Sequence, residues 1–389
     1  MKNRSVAVRQ ARLVLEDGSE YSGFSFGKPR SQAGEVVFTT AMTGYSQILT
    51  DPSTRGHILV FTYPLIGNCG VPVKPKTCEP FIDEYGLPLY LESPAVQVSG
   101  LVVLEACNEP SHYSSGATVP AWLEKNNIPG IYGIDTRSLT LRLRENGTMR
   151  GKILTEGSRD VTMDSGNSAY PAQDVSPEEI KTYLPSPALS REGEEAKGEK
   201  KPSLKIAVID CGAKTAIFRS LLERQAEVIR LPWNHDLKNI EYDGLVLSTG
   251  PGDPKAYGKT IAAVRKVFDI GKPIFGIGLG CQIMALAAGG DTYKLPHSHR
   301  SLNQPCIETA TERCYVTSQY HGYAVRGDSL PRIWESSFLN ANDNTVEGIR
   351  STQGPYQAVQ FSPEGCPGPQ DTEFLFDNFF EQVRKASHK

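Results

Sequence analysis

Residues Pro273-Ile-Phe-Gly-Ile-Gly-Leu-Gly-Cys-Gln282 spell an apolar strand, a glycine-rich turn and a helix start. That order is the shape of a nucleophile elbow, a strained strand-to-helix turn that holds one reactive side chain at the tip of a sheet. The tip residue here is Gly278, which has no side chain to hold. A second stretch, Val359-Gln-Phe-Ser-Pro-Glu364, has the form of the segment that brings up the matching base, and it carries Ser362. Glycine cannot act as a nucleophile, and serine is a poor base at neutral pH. The scaffold for covalent catalysis is written in the chain, while the groups that would carry it out are not.

One relocated nucleophile deserves weighing. Cys281 falls in the first turn of the expected helix, where the helix dipole lowers a thiol pKa. It lies nearly one helical turn from the elbow tip, and His321 is the only replacement imidazole in view. A buried structural thiol is the favoured reading, because free cysteine packs as a small hydrophobe. Gly276-Ile-Gly-Leu-Gly280 also faintly matches a dinucleotide fingerprint, but its third glycine comes one position early and Asp291 is too near to close the unit. His297 and His299 hint at a metal, yet no third ligand is spaced for one, so a surface loop is expected there and no metal or cofactor.

The elements that would position these residues alternate after residue 204. Strands are expected at 204–209, 227–231, 244–247 and 273–277, with helices at 213–224, 261–269 and 281–288. Nearly continuous apolar strands between helices predict a parallel sheet covered on both faces. Further strands are expected at 314–318, 322–325 and 356–361, and a closing helix at 372–383. The first 155 residues read differently. Short strands at 13–16 and 20–26 flank the hairpin turn Asp17-Gly18-Ser19, and others are expected at 35–40, 57–62 and 100–105, with helices at 119–126 and 136–146. Between 156 and 203 the chain is polar, clearest in Arg191-Glu-Gly-Glu-Glu-Ala-Lys-Gly-Glu-Lys-Lys-Pro202, and is expected to be a linker. A short helix at 177–183, capped by Ser176, is expected within it. The proposed division is 1–155, 156–203 and 204–389.

At 389 residues with 39% apolar content, the chain can build two cores. Its net charge of −3 carries no electrostatic footprint for nucleic acid. No apolar run approaches the roughly 18 residues of a membrane span. Lys2, Arg4, Arg9 and Arg12 precede no apolar core of a secretory signal, which leaves a mitochondrial transit peptide as the weaker alternative to the cytoplasm. Eight scattered cysteines with no CxxC pair suit reduced thiols in that compartment.

Four blocks after residue 204 make this region resemble the class I, triad-type glutamine amidotransferases: Asp210-Cys-Gly-Ala-Lys214, Ser248-Thr-Gly-Pro-Gly-Asp-Pro254, Phe275-Gly-Ile-Gly-Leu-Gly-Cys-Gln282 and the segment 359–364. The front region resembles the carbamoyl-phosphate synthetase small subunit through Gly34-Glu-Val-Val-Phe38, Met42-Thr-Gly-Tyr45, Leu49-Thr-Asp-Pro-Ser53, Thr62-Tyr-Pro-Leu-Ile-Gly-Asn68 and Gly133-Ile-Asp-Thr-Arg137. The resemblance implies an α/β protein, with a β-rich N-terminal small-subunit domain ahead of an amidotransferase domain built on a mainly parallel sheet flanked by helices. It implies a Cys–His–Glu triad that frees ammonia from glutamine for a large ATP-using synthetase subunit, whose carbamoyl phosphate feeds pyrimidine and arginine synthesis. On this chain the nucleophile aligns with Gly278, the base with Ser362, and the orienting glutamate is present as Glu364. Gly250 and Gly252 match the oxyanion and glutamine-binding loop, although a tight turn after a buried strand also accounts for them. Ser53, Leu279, Gln282, Gly322 and Tyr323 match further glutamine contacts. Cys281 stands where the family commonly has histidine, and Tyr320 and Ala216 where it usually has asparagine. Without a histidine, Glu364 is expected to be a solvated or hydrogen-bonded carboxylate, and Asp135 and Arg137 are expected to be structural. Three functions follow from the resemblance. The favoured one is a lapsed glutaminase that supports synthesis from ammonia. The others are an enzyme using Cys281 and a regulatory subunit that binds glutamine without hydrolysing it.

Overall fold

A computed structural model describes residues 9–164, 171–186 and 204–387. The chain divides into two compact units, Met1–Phe81 with Pro88–Ser168, and Ile82–Leu87 with Ala169–Lys389. The most polar part of the expected linker, 191–202, lies outside the described residues.

The first unit is a closed seven-stranded barrel in the order β1-β2-β8-β6-β4-β3-β9. Its strands are β1 (Gln10–Leu15), β2 (Glu20–Gly27), β3 (Gln32–Thr39), β4 (His57–Phe61), β6 (Gly100–Val102), β8 (Pro129–Tyr132) and β9 (Met149–Thr155). A separate ribbon pairs β5 (Leu65–Ile66) with β7 (Glu105–Ala106), so the apolar stretch expected as one strand at 100–105 is broken into β6 and the start of β7. In β1 the alternation of side chains points Ala11, Leu13 and Leu15 inward, where Val36, Ile58, Val102, Ile131 and Ile153 meet them. The β1–β2 turn is held by Asp17, whose Oδ1 accepts from the Ser19 N–H at 2.9 Å and from its hydroxyl at 2.6 Å. Three helices accompany the barrel: α1 (Tyr45–Thr50), α2 (Val119–Lys125) and α3 (Thr136–Asn146). Thr118 caps α2, and Asp135 caps α3 by accepting from the Ser138 N–H at 3.0 Å, a structural use of that carboxylate.

The second unit is a ten-stranded sheet in the order β10-β12-β11-β13-β14-β19-β18-β16-β15-β17. Its strands are β10 (Lys181–Tyr183), β11 (Lys205–Asp210), β12 (Glu227–Pro232), β13 (Gly244–Leu247), β14 (Ile274–Ile277), β15 (Asp291–Glu308), β16 (Cys314–Arg326), β17 (Trp334–Asn340), β18 (Val346–Ser351) and β19 (Tyr356–Val359). Strands β12, β11, β13, β14 and β19 run parallel and form the middle of the sheet. The helices are α4 (Thr215–Glu223), α5 (Gly258–Ile270), α6 (Leu279–Ala288) and α7 (Phe374–Ser387). Alternate residues of β11 serve opposite faces. Ile206 and Val208 join the cluster of Ile217, Leu221, Phe376 and Phe379 from α4 and α7. Ala207 and Ile209 join Val264, Val267, Ile283 and Met284 from α5 and α6. Two apolar faces covered by helices is the arrangement that continuous apolar strands require.

The expected helix at 177–183 is not formed. Lys181–Tyr183 is instead a strand antiparallel to β12. Ser176, read as a helix cap, turns its hydroxyl to accept from the Trp233 N–H at 2.9 Å. The expected surface loop around His297 and His299 is instead part of the long strand β15, antiparallel to β16.

Candidate active site

The four sequence blocks of the second unit converge because parallel strands deliver their exits to one edge of the sheet. β11, β13, β14 and β19 are neighbours, and Cys211–Lys214, Ser248–Asp253, Gly278 and Gln360–Glu364 each follow the carboxyl end of one of them. That edge is where open α/β sheets bind their ligands. The loops are tied together by short hydrogen bonds. The Cys211 N–H donates to Ser248 Oγ at 2.9 Å, Thr249 Oγ1 to the Gly212 carbonyl at 3.0 Å, and the Gly278 N–H to the Val359 carbonyl at 2.8 Å. The Tyr257 hydroxyl donates to the Pro251 carbonyl at 2.6 Å, which steadies the turn holding Gly250 and Gly252.

Gly278 sits at φ +59° and ψ −114° as the N-cap of α6. This is the strained backbone of an elbow, held here by a residue for which it costs little. A Cβ at this position would lie 3.1 Å from the Thr249 Cγ2 methyl. Gly280 has another reason to be glycine: a Cβ there would run into the Leu247 carbonyl. The glycine-rich run therefore serves close packing of α6 on the strands as well as the turn.

At the base position, Ser362 places its hydroxyl 3.3 Å from Lys214 Nζ. The same ammonium donates to Glu364 Oε1 at 2.6 Å, and both side chains are buried. Glu364 is thus a hydrogen-bonded, ion-paired carboxylate and not a solvated one. Lys214 engages only Oε1 of this carboxylate; Glu364 Oε2 is buried without a hydrogen-bond partner, on a carboxylate whose family role is to orient the imidazole that Ser362 lacks. Nothing local to the Asp210–Lys214 motif signals the role of Lys214, because its partner lies 150 residues further on.

Cys281 is fully buried. Burial pushes its thiol up, and the Glu347 charge adds to that, so the dipole of α6 does not prevail. Gln282 donates from Nε2 to the Tyr323 carbonyl at 2.9 Å and to Gln360 Oε1 at 3.0 Å. Leu279 is buried at the start of α6, and Gly322 and Tyr323 are half-buried on β16. Tyr320 lies under the Arg300 guanidinium, 5.2 Å from its ring centre, and Ala216 is buried in α4. Ser53 is buried in a turn of the first unit, where its N–H donates to Asp51 Oδ1 at 2.8 Å.

A neighbouring cluster escaped the sequence reading. His299 is buried, with Nδ1 3.1 Å from Glu347 Oε1, and His321 Nε2 lies 3.6 Å from Glu347 Oε2. The third group that spacing along the chain did not supply is provided by β16 and β18. Burial pushes the Glu347 carboxyl up, but His321 and His299 outweigh it and hold the group below its usual value.

The second unit has the architecture and motif layout of a glutamine amidotransferase. The family model "Glutamine amidotransferase class-I" matches residues 207–382, and "Carbamoyl-phosphate synthase small chain, CPSase domain" matches 13–153. The chain carries a carbamoyl-phosphate synthase small-chain domain followed by a class I glutamine amidotransferase domain. It is 43% identical to the multifunctional protein pyr1-3 of Dictyostelium discoideum, over 95% of this chain and 17% of that protein. It is 42% identical to the human protein named carbamoyl-phosphate synthase [ammonia], mitochondrial, over 98% of this chain and 24% of that one. The multifunctional protein CAD of Squalus acanthias is 43% identical over 96% of this chain and 16% of its own length. The chain thus spans between about a sixth and a quarter of these relatives.

Proposed function

We propose that this chain is the small-subunit portion of a carbamoyl-phosphate synthase that has lost its glutaminase and supports synthesis from free ammonia by a large ATP-dependent partner. The observation that carries the reading is the state of the three triad positions. Gly278 offers no nucleophile, Ser362 offers no imidazole, and Glu364 is left with the Lys214 ammonium as its partner and one oxygen unbonded. Loss of one member of a nucleophile–base unit costs on the order of 10⁶ in kcat in the subtilisin example, with little further loss for the second. Once one was lost, little selection would have kept the other. The human relative's name specifies ammonia, which agrees with this reading. The front domain, 1–155, is the docking element for the large partner, with 156–203 as the linker and 204–389 as the amidotransferase-like domain. The product would enter pyrimidine or arginine synthesis. All eight cysteines are unpaired as disulfides, which suits a reducing compartment such as the cytoplasm.

Two other readings remain in play. Burial of Cys281 and its raised thiol speak against that residue as a nucleophile. The intact loop at Gly250 and Gly252, with Gln282 still bonded to β16, favours glutamine binding without hydrolysis as the second reading. The test is carbamoyl phosphate formation by the chain with a synthetase large subunit. Synthesis from ammonium ions with none from glutamine supports the proposal, and glutamine-dependent synthesis contradicts it. Calorimetric binding of glutamine without turnover would establish the regulatory reading.

A further inference from the structure

The cluster behind β16 has a proton inventory that does not balance. His299 Nε2 faces Asp343 Oδ2 at 2.9 Å, so it carries the proton and donates. His321 Nδ1 faces the Tyr323 carbonyl at 2.9 Å, so it donates as well. In neutral rings the remaining nitrogens, His299 Nδ1 and His321 Nε2, are lone pairs. Both turn inward onto the Glu347 carboxylate, at 3.1 and 3.6 Å. Gln319 Oε1 also lies 3.0 Å from each of them, while its amide nitrogen is committed to Cys306 Sγ and Thr317 Oγ1. Unless both rings carry a second proton, acceptors therefore converge on acceptors. The donors at the rim are Asn340 Nδ2, 3.4 Å from His299 Nδ1, and Thr345 Oγ1, 3.2 Å from Glu347 Oε1. Glu347 Oε2 is buried with no hydrogen-bond donor, and its side chain is fully enclosed. A buried carboxylate ringed by lone pairs is costly unless a cation sits among them.

We propose that His299, His321 and Glu347 form a divalent-metal site, with zinc the fitting ion and the Gln319 carbonyl oxygen as a fourth donor. The three side chains bring one ligand atom each to within 4.8 Å of one another, and theirs is the one such grouping among the described residues. Two imidazoles and a carboxylate are a zinc donor set, and Zn–N and Zn–O bonds of about 2.0–2.2 Å in a tetrahedron put neighbouring ligand atoms roughly 3.3–3.6 Å apart. The four spacings from 3.0 to 3.6 Å need little adjustment to reach this. The outer nitrogens complete the pattern. A ligating histidine gives its second N–H to a carboxylate or a backbone carbonyl, as His299 does to Asp343 and His321 to Tyr323. The partly exposed Asp343 lies on the rim, on the side from which an ion would enter. The ligands come from three adjacent strands, β15, β16 and β18, so a bound ion would pin the antiparallel extension of the sheet. Because Gln282 and His321 both donate to the Tyr323 carbonyl, the ion would also fix β16 beside the amidotransferase loop.

The test uses the whole chain, stripped of metal with EDTA after its accessible thiols are capped, and titrated with Zn²⁺ and with Co²⁺ as a spectroscopic probe. The expected result is one zinc per chain retained through buffer exchange, the visible d–d bands of tetrahedral cobalt, and a higher Tm with metal. His299→Asn and Glu347→Gln should abolish retention. Asp343→Asn, at the rim, should leave the fold intact by circular dichroism and weaken zinc by about 10–100-fold, the usual effect of losing an outer-shell carboxylate. If the wild type retains no zinc, the proposal is overturned and the cluster is held together by protons on both imidazoles; if His299→Asn and Glu347→Gln retain zinc as the wild type does, the ion lies elsewhere and the proposal is likewise overturned.

Discussion

Among the residues of the site, Lys214 and Glu364 form the most consequential pair. Breaking a buried ion pair from one side strands a charge, so Lys214→Met should destabilise the chain by about 3–5 kcal/mol in urea unfolding, while Lys214→Met/Glu364→Leu should recover most of that loss. A double variant as unstable as the single would show that the lysine is needed for packing and not for the carboxylate. Gly278 makes the opposite case. At φ +59° beside the Thr249 methyl, Gly278→Ala should cost about 1–3 kcal/mol through backbone strain, and alanine is also the poorer residue at an N-cap. Cys281 gives a chemical prediction. A thiol pushed up by burial stays protonated, so iodoacetamide at pH 8 should label the exposed Cys69 and Cys314 and spare Cys281 until the chain unfolds. Rapid labelling of Cys281, slowed by glutamine, would revive it as a nucleophile.

Elements carry the second layer of the account. Gly280 lets α6 lie directly on β13, so Gly280→Ala should destabilise by about 1–3 kcal/mol or more through backbone displacement, read as a lower urea midpoint. In the β1–β2 hairpin, bonds from Ser19 and then Arg142 hold the Asp17 carboxyl below the usual range. A depressed carboxyl contributes stability that is present above its unfolded pKa and lost as pH falls through the folded one. Asp17→Asn should therefore be less stable than wild type at pH 7, with the gap closing in acid; a gap independent of pH would assign the effect to shape alone. Elements also show where the sequence could be read. The βα alternation from β11 to α6 was legible because β13 and β14 are apolar throughout and α5 and α6 end at the glycines Gly271 and Gly289. β15 was not. It carries Pro296 and Pro305, and its pairing with β16 shifts register between Lys294 and His299 and between Ser301 and Gln304, so no period of two survives. The segment 177–183 misled for a related reason. Ser176-Pro177 is a good local helix start, and the pairing with β12 that overrode it is a tertiary contact.

At the scale of the whole molecule, two units of different construction lie on one chain, a barrel whose parallel and antiparallel strands close on themselves and a sheet whose parallel strands share one functional edge. The motifs of that edge were legible because each is local. Its electrostatics were not, since Lys214 meets Glu364 across 150 residues and His299 meets Glu347 across 48. The central claim is that the edge survives while the reaction does not, and glutamate release from glutamine tests it most directly. The purified chain should release none, alone or with a synthetase large subunit, while Gly278→Cys/Ser362→His should gain activity at least about 10²-fold above background, the scale of a restored acid–base group. Glutamate release by the unaltered chain, abolished by Cys281→Ser, would contradict the account.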